Sequence, residues 1–114
     1  MDATGREIPL QFPRVAADAV ALRQGTEEGS RPEILLITRK KETFQGCLAF
    51  PGGHVDYGED PEVSCVRELK EETDVDGKLK CLLTVRGKPG RDPRYHVLSV
   101  VYIVEVDPAA QPKA

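Results

Sequence analysis

The chain has no tryptophan, a single methionine and only 5% aromatic residues, so its core must come from aliphatic side chains and alanine rather than from stacked rings. It also lacks any apolar run near the roughly 18 residues needed to cross a bilayer, and no membrane-spanning segment is expected. An excess of charge of one sign is missing too: sixteen Lys and Arg stand against nineteen Asp and Glu, a formal charge of −3. That balance draws the chain neither to nucleic acid nor to an anionic membrane, and an anionic ligand must be held by local chemistry. Cysteine is scarce. Cys47, Cys65 and Cys81 have no CxxC spacing, are odd in number and follow no signal peptide. They are expected as reduced thiols, buried or half-buried, in a cytoplasmic protein. What is present, 114 residues at 39% hydrophobic and 31% charged, suits one soluble globular domain.

Residues 1–13, with Pro9 and Pro13, read as a loosely ordered lead-in, and residues 14–106 hold the patterned segments. RVAADAVAL at 14–22 and EILLITR at 33–39, joined by the turn-rich QGTEEGSRP, predict a hairpin. KKETFQGC at 40–47 is expected as a loop and LAF at 48–50 as a short strand. That strand should stop at Pro51-Gly52-Gly53, where two glycines allow backbone conformations closed to other residues. Asp60 as N-cap, Pro61 at the first helical position and Glu62 in the first turn predict a helix over 61–73, with Val63, Val66 and Leu69 as its core-facing stripe. Strands follow at 79–85 and 95–106 around a loop at 88–94. In the last strand Leu98, Val100, Tyr102, Val104 and Val106 share one face while Val97, Ser99, Val101 and Ile103 share the other, the pattern of a central strand covered on both sides. One helix covers one side only, so further chain or a second copy in a homodimer is expected over the other. Residues 107–114 (DPAAQPKA) form a tail or the start of a further segment.

On the helix, Glu68, Glu71 and Glu72 stand at i, i+3 and i+4, so three carboxylates share one face within about a turn. They repel one another, and they lie near the helix C-terminus, where the dipole disfavours anions. A hard divalent cation such as Mg²⁺, which prefers oxygen ligands and keeps waters for phosphate oxygens, removes both objections. A solvated acidic face with Arg67 paired to Glu71 is the structural alternative.

The residues upstream bear on that choice. Gly53, Glu59, Arg67, Glu68, Leu69, Glu71, Glu72 and Val75 stand in the spacing G-x5-E-x7-R-E-U-x-E-E-x-G-U, with U aliphatic. Six polar or glycine identities at fixed positions would coincide by chance on the order of once in 10⁷ windows. Over residues 53–75 the chain thus resembles the Nudix hydrolase family, with one departure: Asp74 stands where the family has glycine, at a helix end that calls for a left-handed backbone. The resemblance implies an α/β (α+β) Nudix fold, a mixed β-sheet between helices, with the C-terminal helix missing here. It implies a loop-helix-loop that binds Mg²⁺ or Mn²⁺ and cleaves a nucleoside diphosphate derivative. By position Glu68, Glu71 and Glu72 would hold the metal with the carbonyl of Gly52, while Arg67 would orient Glu68 and pair with Glu59.

Residues 89–103 are similar to the segment after the box in ADP-ribose pyrophosphatases, where a proline at the position of Pro89 accompanies that specificity. This makes ADP-ribose the favoured small-molecule partner, giving AMP and ribose 5-phosphate. Arg91 and Arg94 are candidates to meet phosphate, or else to cap their loop by pairing with Asp92. His96 is expected to be structural, and His54 is open between the two roles. Phe44, Phe50, Tyr57 and Tyr95 are candidates to stack on adenine, core packing being the simpler expectation. Two alternatives stand beside this reading. One is a nucleoside triphosphate pyrophosphatase that removes damaged nucleotides. The other is a non-catalytic nucleotide-binding regulatory module, favoured because many ADP-ribose-cleaving relatives take a further glutamate from a loop beyond the position of residue 114.

Overall fold

A computed structural model describes residues 11–25, 29, 31–38 and 46–113. Phe44 and the first ten residues of the lead-in lie outside them. Strand β1 (Arg14–Arg23) is the organising element, since it is hydrogen-bonded along both edges. On one edge it runs parallel to β7 (Val97–Val106), in register from Arg14 opposite Val97 to Arg23 opposite Val106. On the other it pairs antiparallel with β2 (Glu33–Ile34) and with β5 (Gly52–His54). Strand β6 (Gly77–Arg86) pairs antiparallel with β7, which makes the sheet mixed and places β7 inside it, as its two apolar faces require.

The single helix among the described residues, α1 (Pro61–Thr73), begins and ends where the sequence places it. Asp60 has an extended backbone and its carboxylate accepts from the Glu62 N–H at 2.8 Å, with Pro61 following. Asp74 closes the helix in the left-handed conformation, φ 60°, its N–H donating to the Lys70 carbonyl at 2.8 Å. Asp74→Ala is expected to lower stability by about 1 kcal/mol, because alanine has no side chain to satisfy that backbone locally. Asp74→Gly should stay within about 0.5 kcal/mol of the parent, its easier left-handed turn offset by a more flexible unfolded chain. Urea midpoints of the two variants test this; equal midpoints would contradict it.

The helix lies on the alanines of β1. Ala17, Ala19 and Ala21 form a flat floor on which Cys65 and Leu69 rest, and Tyr102 and Val104 of β7 complete the core. The opposite sheet face is also buried, at Ala16, Val20, Ser99 and Val101. Exposed apolar side chains lie on β6, at Leu82, Leu83 and Val85, and also at Ile34, Leu36, Leu48 and Phe50.

Several expectations need correction. The strand expected over 33–39 is two short pieces: β2 stays with β1, while β3 (Ile37–Thr38) leaves it to pair with β4 (Leu48–Ala49). Strand β4 does end before Pro51, but Gly52 and Gly53 begin a new strand, β5, and neither has a positive φ. The helix is rotated relative to the expected stripe: Ser64, Cys65, Leu69 and Thr73 are buried, whereas Val63 is 58% exposed. Small side chains suit the close approach to the alanine floor, and they set the seam. Cys47 and Cys81 are exposed and only Cys65 is buried. The tail, finally, folds back. Ala110 offers its carbonyl to Arg23 at 3.3 Å, and the Lys113 N–H donates to the Thr73 carbonyl at 2.8 Å, satisfying a group that the helix end leaves open.

Candidate functional site

The rotation that exposes Val63 turns Glu68 and Glu72 toward strand β5, beside the buried seam. There the absence of side chains matters. A β-carbon on Gly53 would lie 2.6 to 2.8 Å from the carboxylate atoms of Glu68, so Glu68 occupies the space that a side chain would take. The N–H of Gly52 donates to Glu72 Oε1 at 3.0 Å. Two glycines thus bring a strand's main chain against two helix carboxylates.

Arg67 gathers the remaining acids. Its Nε donates to Glu59 Oε2 at 2.7 Å and its Nη2 to Glu59 Oε1 at 2.9 Å, a two-point fork that lysine could not form. Its Nη1 donates to Glu68 Oε1 at 3.1 Å and to Glu71 at 3.1 and 3.2 Å, and Asp56 stands 3.5 Å away. Glu59 also accepts from the Ser64 hydroxyl and from the Asp56 N–H at 3.2 Å. The Arg67 guanidinium first, then the Ser64 hydroxyl, holds the Glu59 carboxyl down at about 2, against an ordinary 4.5. The guanidinium is raised in turn, chiefly by Glu59. A group whose folded pKa is depressed contributes stability above its unfolded pKa and loses it as pH falls through the folded one. The thermal midpoint should therefore fall between about pH 4.5 and about pH 2 in the wild type, and Glu59→Gln should flatten that part of the curve. Parallel curves for the two proteins through that window would contradict the assignment.

Among the described residues no three His, Cys, Asp or Glu side chains converge as an assembled metal centre: Glu68 and Glu71 turn to Arg67, and Glu72 to Gly52. The donor chemistry nonetheless suits a hard divalent cation, since carboxylates and a peptide carbonyl are oxygen ligands borne on two adjoining elements. Cys65 is not part of this chemistry; burial pushes its thiol up to about 12, with the charge of Asp18 adding to the effect.

The loop residues expected to meet substrate are engaged within their loop or with the end of β6. Pro89 precedes Gly90 (φ +87°) in a turn closed from the Arg91 N–H to the Lys88 carbonyl at 3.5 Å, the arrangement of a type II turn. Arg91 donates to the Arg86 carbonyl at 3.1 Å, and Arg94 to Asp92 at 2.8 and 3.1 Å. The guanidiniums of Arg14 and Arg94 each approach the Tyr95 ring, at 4.8 and 4.9 Å, and the Tyr95 hydroxyl lies 3.4 Å from His54 Nε2. His96 bonds the Gly87 carbonyl at 2.7 Å, the structural role expected of it. Core packing does not describe Phe50 or Tyr57: the first is exposed, and the second stands fully in solvent on the Asp56–Glu59 turn. Sequence reasoning missed Ser64, which reaches Glu59, and Asp18, which abuts Gly52. A lone acid inside an apolar strand was the available signal for Asp18.

A family model described as NUDIX domain matches residues 12–114. The chain is 47% identical over 94 residues to an ADP-ribose pyrophosphatase of Methanocaldococcus jannaschii, covering 82% of this chain and 52% of that protein. It is 33% identical over 99 residues to an ADP-sugar pyrophosphatase of Mus musculus, covering 79% and 45% respectively. Among solved structures it superposes on a MutT/nudix family protein from Enterococcus faecalis with a TM-score of 0.83 at 33% identity, over 97% of this chain and 43% of that one. The chain spans about half the length of the curated relatives it matches.

Proposed function

The chain belongs to the Nudix family, and from that premise we propose that it hydrolyses the pyrophosphate bond of a nucleoside diphosphate derivative, with ADP-ribose as the favoured substrate and AMP and ribose 5-phosphate as products. The observation that carries the reading is the Arg67-held set of carboxylates against Gly52 and Gly53. The names of two relatives, an ADP-ribose and an ADP-sugar pyrophosphatase, support the substrate class.

Glu68, Glu71, Glu72 and the carbonyl of Gly52 are the groups that would hold Mg²⁺ or Mn²⁺, which when bound neutralises a diphosphate, polarises phosphorus and lowers the pKa of water. Arg67 keeps Glu68 and Glu71 on one side of the helix, and Glu59 anchors Arg67 through the fork. Because Glu59 stays ionised down to about pH 2, that anchor is retained throughout the neutral range.

A panel of ADP-ribose, other nucleotide sugars, dinucleoside polyphosphates and nucleoside triphosphates with Mg²⁺, analysed by product chromatography, tests the proposal. ADP-ribose should give AMP and ribose 5-phosphate with a kcat/KM at least tenfold above that of any triphosphate. Triphosphates, including oxidised ones, turned over tenfold more efficiently would replace it with a nucleotide-sanitising activity. Binding of ADP-ribose without turnover of any compound would favour a regulatory module.

A further inference from the structure

We propose that Asp18, held by Ser99, is a positioning residue for the carboxylate centre and acts through the main chain of Gly52; this rests on the reading of that centre given above. Asp18 is the one charged residue between the terminal arginines of β1, in a stretch otherwise made of alanine, valine and leucine. Setting a carboxylate half out of water there carries a desolvation penalty that an apolar residue would avoid. Its contacts explain why it is there. The Ser99 hydroxyl, on the neighbouring parallel strand and only 4% exposed, donates to Asp18 Oδ2. Oδ1 is the nearest atom to the place a Gly52 β-carbon would occupy, and the Ala17 carbonyl oxygen lies 2.5 Å from that place.

Gly52 pairs with Asp18 across the β1–β5 ladder, and its N–H donates to Glu72 Oε1 at 3.0 Å. Its main chain is therefore held between a sheet carboxylate and a helix carboxylate. Ser99 fixes the Asp18 side chain, Asp18 abuts Gly52, and Gly52 donates its N–H to Glu72. Groups that orient ligands in this way commonly change metal affinity or activity by about 10–100-fold when removed.

The test compares Asp18→Ala, Asp18→Asn and Ser99→Ala with the wild type by two readouts: amide hydrogen exchange at Gly52 without metal, and Mn²⁺ affinity by electron paramagnetic resonance. Asp18→Ala should speed exchange at Gly52 at least tenfold while the β6–β7 ladder is unchanged, and should weaken Mn²⁺ binding by about 10–100-fold. Asp18→Asn keeps an acceptor for the Ser99 hydroxyl and should recover most of both losses. Unchanged exchange and affinity in a folded Asp18→Ala protein, or exchange accelerated equally along every strand, would overturn the proposal. If Asp18→Ala does not fold, Ser99→Ala, which removes only the hydroxyl, carries the same readouts with the same expected directions. A wild type that binds no Mn²⁺ would count against the hydrolase reading, while exchange at Gly52 would still decide the role of Asp18.

Discussion

Glu68→Gln is expected to lower turnover by about 10²–10³-fold while leaving the thermal midpoint within about 2 °C of the wild type, or raising it. Glutamine preserves the shape of a side chain that fits against Gly53 and keeps an oxygen for the Arg67 Nη1 donor, so packing is little disturbed. What it removes is a charge, and the helix gains from that removal. Glu68, Glu71 and Glu72 repel one another near the negative end of the dipole, an arrangement that helix energetics alone disfavours. Glu72→Gln should behave alike, since its amide oxygen can still accept from the Gly52 N–H. Steady-state kinetics with Mn²⁺ affinity and melting of both variants check this. Wild-type turnover with unchanged affinity would mean that the acids are a solvated face and nothing more.

The adjacent glycines should fail in opposite ways. A β-carbon at position 52 meets main chain: the Ala17 carbonyl oxygen at 2.5 Å and Asp18 Cα at 2.8 Å, besides Asp18 Oδ1. Backbone cannot rotate aside, so β5 must part from β1, and Gly52→Ala should lose about 3 kcal/mol of stability. At position 53 the three atoms nearest the β-carbon all belong to the far end of Glu68, which can swing away. Gly53→Ala should therefore stay within about 1 kcal/mol of the parent and yet lose about 100-fold in turnover, because a displaced Glu68 no longer stands where the chemistry needs it. Urea denaturation and kinetics on the pair decide the matter. Equal effects, or the reverse assignment, would show that the two close approaches do not have the different consequences drawn from them.

The parts of the fold legible from sequence are those set by local chemistry. Helix α1 has its own start and stop signals in Asp60, Pro61 and the left-handed Asp74, so its limits did not depend on the rest of the molecule. Two apolar faces marked β7 as an inner strand for an equally direct reason. The box spacing identified Glu59, Arg67, Glu68 and Glu71, which the structure brings into contact. The rotation of the helix was not legible, because it depends on the surface beneath. Valines at 63 and 66 look like a core stripe until the alanines of β1 admit a seam of Ser64 and Cys65 instead. Strand β5 was hidden for a similar reason: glycine has little preference for strands, and only its neighbours Ala17, Asp18 and Glu68 explain why nothing larger fits.

Arg67 has a consequence for how the sequence can drift. One guanidinium stands against Asp56, Glu59, Glu68 and Glu71 together. Replacing any one of these acids leaves a cation still facing three partners. Replacing the arginine first leaves four anions around a vacancy, and groups that share a partner do not contribute independently. For stability, mutational paths across this site therefore have a direction: exchanging one acid before the arginine leaves the remaining acids facing a cation, whereas a lineage that lost the arginine first would carry the full repulsion until compensating changes followed.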